Sequence, residues 1–91
     1  MTSAAVVTKE EIEEKVRGRL REELAASDEQ LAYRSELITL PGASPSKLLR
    51  ASRAIERDFN VSCLGTNADW FTSVRVGVER VSKALGPRFE G

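Results

Sequence analysis

Leu40-Pro41-Gly42-Ala43-Ser44-Pro45-Ser46-Lys47-Leu48-Leu49-Arg50 carries the end of a loop and the start of a helix in one short run. Serine followed by proline is a strong helix-start signal. The Ser44 hydroxyl can cap an orphan amide, and Pro45 lacks an amide that would be unpaired at the first helical position anyway. Leu48, Leu49, Ile55 and Phe59 then mark the buried side of this helix, with Ala51 and Ser52 as small contacts. Upstream, the stretch 25–42 reads as a long connection punctuated by Ser27, Asp28, Pro41 and Gly42. Leu31, Tyr33, Leu37, Ile38 and Leu40 give that connection apolar weight, so it is expected to pack across the domain.

Further outward lie two more helices. Thr8 and Glu11 form a T-x-x-E capping box, and Ile12, Val16, Leu20 and Leu24 follow at four-residue intervals on a charged helix. Glu13 and Arg17 are an i,i+4 pair in the favourable order. Past the second helix, 60–69 is a polar turn region around Gly65 with room for a short helical turn. The last helix shows Phe71, Val74, Val78, Val81 and Leu85, spaced 3, 4, 3 and 4, and Gly86-Pro87 ends it. Gly77 inside that seam weakens it by about 1 kcal/mol relative to alanine. Residues 1–7 and 87–91 are expected to be tails around a domain spanning 8–86.

Composition narrows the function. Ninety-one residues fit one core and leave little wall for a buried multi-residue catalytic site. With 14 Lys+Arg against 14 Asp+Glu, no net field draws the chain to nucleic acid or anionic lipid. The absence of histidine removes the commonest general base and metal ligand. Cys63 is the single cysteine, which excludes an internal disulfide. Nothing near Met1 resembles a charged segment followed by a long apolar stretch, and no apolar run approaches membrane-spanning length. The expectation is a cytoplasmic, monomeric, non-enzymatic domain without a metal.

Three long helices, a long structured loop between the first two and a short turn before the last resemble the layout of acyl and peptidyl carrier proteins. That family announces its second helix with Leu-Gly-x-Asp/His-Ser-Leu. Its serine falls three residues after the glycine and fourteen before a phenylalanine followed by x-Val/Ile. Leu40-Pro41-Gly42-Ala43-Ser44-Pro45-Ser46 is similar to the first part, and Phe59-Asn60-Val61 to the second. Trp70-Phe71-Thr72-Ser73-Val74, with Val78 and Val81, resembles the closing motif. The likeness spans residues 10–85 and implies an all-α, four-helix carrier-like bundle of three long helices and one short. It places the chain in a fatty-acid, polyketide, non-ribosomal peptide or other natural-product pathway, with biosynthetic enzymes or synthase domains as partners.

The chain departs from the family pattern at its chemical centre. Three residues after Gly42 and fourteen before Phe59 both fall on Pro45. The family's serine receives 4'-phosphopantetheine from coenzyme A; a proline has no hydroxyl and cannot carry the arm. On this register no cofactor is expected, and the chain is a degenerate carrier that acts through protein docking. The alternative register puts the arm on Ser46, four after Gly42 and thirteen before Phe59, while Ser44 is the lesser candidate because its oxygen is needed as the cap. The second helix carries Lys47, Arg50, Arg53 and Arg57 against Glu56 and Asp58, so its partner surface is expected to be acidic or neutral. Leu48 and Trp70 complete the expected docking set. A helical interaction module unrelated to carriers is the reading from another class, with 27–43 helical or disordered.

Other features take bland readings. Cys63 follows Phe59 and Val61 in an alternating run and reads as a small buried residue, with no histidine to activate it. Arg17, Arg19 and Arg21 are interleaved with glutamates and lack aromatics, which argues against a nucleic-acid surface. Glu10, Glu11, Glu13 and Glu14 lie in a first turn, where carboxylates offset the helix dipole.

Overall fold

Thr8 opens the first helix with the reciprocal bonds its spacing predicts. In the computed structural model, which describes residues 6–62 and 71–90, the Glu11 amide donates to Thr8 Oγ1 at 3.2 Å and the Thr8 amide to Glu11 Oε1 at 3.0 Å. Helix α1, Lys9–Leu24, buries Ile12, Val16, Leu20 and Leu24. It ends at Ala25, which takes the left-handed conformation (φ 53°) and donates its amide to the Arg21 carbonyl. Helix α2 is Pro45–Phe59, and its end is a Schellman motif. Asn60 is left-handed (φ 54°), its amide donates to the Arg57 carbonyl, and the Val61 amide donates to the Glu56 carbonyl.

Helix α3 is Val74–Leu85. The apolar seam is buried as expected, but Phe71 precedes the helix instead of lying in it. Ser73 is extended and its hydroxyl accepts from the Val76 amide at 3.2 Å, so the helix cannot begin earlier. The core is built from the α1 stripe, Leu48, Ala51 and Ile55 of α2, and Phe71, Val74, Val78, Val81 and Leu85. Helix α1 is central and packs along both of the others, which meet each other less. The chain is mostly helical, with three α-helices among the described residues. The short fourth helix expected from sequence, and Cys63 and Trp70 with it, lie outside the described residues.

The long connection is docked, though not through all of its apolar residues. Leu31 and Leu37 are fully buried and Tyr33 and Leu40 partly so, whereas Ile38 is 52% exposed. Leu37–Thr39 is a single 3₁₀ turn, so adjacent Leu37 and Ile38 cannot share one face. Two backbone bonds tie the connection to the α3 start: the Leu37 amide donates to Thr72 and the Arg75 amide to Tyr33, both at 2.9 Å. The connection closes with a type II turn, in which Ala43 donates to Leu40 and Gly42 holds φ at 81°.

Outside the expected 8–86 core, the two ends meet. Strand β1, Val7–Thr8, pairs in parallel with strand β2, Phe89–Glu90, in the register Val7↔Phe89 and Thr8↔Glu90. Val7 and Phe89 also pack against the core. The sequence pattern assigns both to tails, because two-residue strands leave no periodicity to read.

Candidate functional site

The candidate site is the start and outer face of α2. Ser44 is extended (φ −153°), and its hydroxyl accepts from the Lys47 amide at 3.2 Å. Its oxygen is therefore engaged as the cap. Pro45 is the first helical residue and is exposed. Ser46 is exposed as well, and its hydroxyl makes no hydrogen bond among the described residues.

Below Ser46, residues 50, 53 and 57 recur at helical spacing, and all three arginines are exposed. Ser46, Arg50, Arg53 and Arg57 thus form one stripe along the helix. Leu48 does not belong to it: at 4% exposure it is part of the core, and helical spacing puts it with Ala51, Ser52 and Ile55 on the inner side. Lys47 lies half-buried between the two faces. Leu49, expected on the buried side, is only half-buried, as is Phe59. With Ala54, Leu49 lines a groove of about 360 Å³ between α2 and α1, rimmed by Arg19, Glu22, Arg50 and Arg57.

The cations of this face are unequally engaged. Arg50 Nε lies 3.1 Å from Glu23 Oε1 of α1, and Arg53 reaches the largely buried Glu56 at 3.1 Å. Lys47 and Arg57 form no ion pair within 4 Å among the described residues. Asp58 faces away from the stripe into a bidentate pair with Arg19, at 2.7 and 2.8 Å. Those hydrogen bonds, ahead of simple charge attraction, hold the Asp58 carboxyl below its ordinary value. One of the two carboxylates that sequence counting set against the α2 cations is therefore spent on α1, and the outer face keeps its basic character.

Sequence reasoning missed the role of Leu49 and the exposure of Ile38. The signal for the first was present, because Leu48 and Leu49 are neighbours and a helix cannot bury both equally. No set of three His, Cys, Asp or Glu side chains among the described residues converges as a metal-binding group, and no described helix is long and apolar enough to cross a membrane. No family model, curated protein or solved structure matches this chain.

Proposed function

We propose that this chain is a carrier-protein-like, four-helix domain of a biosynthetic pathway in which Pro45 replaces the pantetheine-bearing serine, leaving a docking module without its arm. The observation that carries the reading is the α2 start. Pro45 occupies the first helical position in the open, directly after a serine whose hydroxyl is committed to the cap. An arm attached there would leave from a helix N-terminus, where a phosphodiester is favoured by exposed amides and the dipole. Proline provides the geometry of that position and none of its chemistry.

The docked connection supports the same reading, since Leu31 and Leu37 are buried where a plain three-helix module needs only short links. On this proposal the partner is an acidic surface of a biosynthetic enzyme, which meets the Arg50, Arg53 and Arg57 stripe. The domain is a cytoplasmic monomer and is not itself a catalyst.

Ser46 supports a second reading, in which it bears 4'-phosphopantetheine and the chain is a working carrier. Its exposure and unengaged hydroxyl favour this. Incubation with coenzyme A and a broad-specificity phosphopantetheinyl transferase, followed by intact-mass measurement, separates the two. The docking reading expects no gain in mass. A gain of one arm that disappears in Ser46→Ala would replace it with the working carrier.

A further inference from the structure

A second groove, of about 410 Å³, opens on the other side of the molecule, where α1 begins and α3 ends. Four separate segments build it: Lys9 from α1, Tyr33 from the docked connection, Val78, Ser82 and Lys83 from α3, and Phe89 from β2. Val78 is 2% exposed and supplies an apolar base, while Tyr33 and Phe89 contribute two half-buried rings. The Lys9 ammonium lies 5.3 Å from the centroid of the Tyr33 ring, which holds a positive charge at the groove.

The charge of this groove is lopsided. Among the described residues, Lys9, Arg80 and Lys83 line it together with one carboxylate, Glu79, and Glu79 is already held by Arg75 at 2.6 Å. Lys9 and Lys83 have no ion-pair partner within 4 Å among the described residues. The Ser82 hydroxyl is directed to the Val78 carbonyl at 2.7 Å, so the remaining polar capacity is mainly cationic. Aromatic walls, an apolar base and ammonium groups without a carboxylate partner among the described residues, in a volume within the usual small-ligand range of about 300–1,000 Å³, call for one kind of molecule. It has a flat apolar body that can pack against rings and an anionic group that can meet two lysines.

We infer that this groove binds a small aryl anion, a single aromatic ring bearing a phosphate or carboxylate. The ring packs with Tyr33 and Phe89 over Val78, and the anion bridges Lys9 and Lys83. The groove is separate from the α2 stripe, so it stands or falls independently of whether Pro45 marks a lost arm.

Two-dimensional NMR titration of the full chain with phenyl phosphate tests this. Saturable shifts are expected at the amides of Lys9, Tyr33, Ser82, Lys83 and Phe89. Benzylamine, which keeps the ring and reverses the charge, should leave those amides in place, and inorganic phosphate should shift them only weakly. The double substitution Lys9→Gln/Lys83→Gln, at two exposed side chains, should weaken phenyl phosphate binding about tenfold or more while the chain stays folded with a cooperative melting curve. Equal saturation by benzylamine or by inorganic phosphate would overturn the assignment. So would shifts confined to Arg50, Arg53 and Arg57, or no saturable shift in the unsubstituted chain.

Discussion

A methyl group added at Gly77 would sit 2.8 Å from Phe71 Cε1, closer than carbon atoms pack, and the Phe71 ring is only 1% exposed and cannot swing away. At Gly18 the same methyl group meets nothing nearer than Arg21 Nη2 at 3.8 Å. The two helical glycines therefore predict opposite outcomes. Gly18→Ala should raise stability by about 1 kcal/mol through helix propensity alone. Gly77→Ala gains the same propensity but overpacks the core, a cost of about 1–3 kcal/mol, and should be neutral to destabilising, by up to about 2 kcal/mol net. Urea denaturation of the two variants measures both, and a stabilised Gly77→Ala would show that the Phe71 contact is loose. From the sequence, Gly77 is only a weak point in an apolar seam. Its reason lies in a residue that precedes the helix and folds back over it, a relation that helical periodicity cannot express.

Among the elements, the legible features are those announced locally. The Thr8 box, the Ser44-Pro45 start and the Gly86 stop each place a helix end by chemistry within one turn, and the structure puts the ends there. Hidden features depend on residues far apart in the chain: the pairing of β1 with β2, the Arg19–Asp58 bridge, and the anchoring of Leu37 to Thr72. The candidate site divides in the same way. Ser44, Pro45, the arginine stripe and the burial of Leu48 are legible from spacing, whereas the half-burial of Leu49 depends on how α2 is rolled against α1. The docked connection yields a direct prediction. Leu37→Ala should cost about 2–5 kcal/mol, the range for truncating a buried leucine. Ile38→Ala should change stability by no more than about 0.5 kcal/mol, because the side chain is mostly in water. Thermal or chemical unfolding of this pair decides the matter, and equal losses would mean that the 3₁₀ turn buries both residues.

At the scale of the whole molecule, equal numbers of acidic and basic residues cancel at neutral pH, and as acid protonates the carboxylates the particular ion pairs decide where stability starts to fall. Arg19–Asp58 is one of them, with Asp58 at 12% side-chain exposure, and it joins α1 to α2. Asp58 has a lower pKa folded than unfolded, so the unfolded chain binds more protons and stability rises with pH. Its contribution is complete above the ordinary aspartate value near 3.8 and is lost as pH falls through the lower, folded value. Asp58→Asn should be less stable at neutral pH and should fall less steeply below about pH 4. Melting curves from pH 7 to pH 2.5 would show it, and parallel slopes for both proteins would discount the bridge. The paired ends have a mechanical consequence. Because β1 and β2 run in the same direction, tension applied to the two termini drags one strand backward along the other, so the hydrogen bonds between them are loaded in shear and must give way together before force reaches α1 or α3.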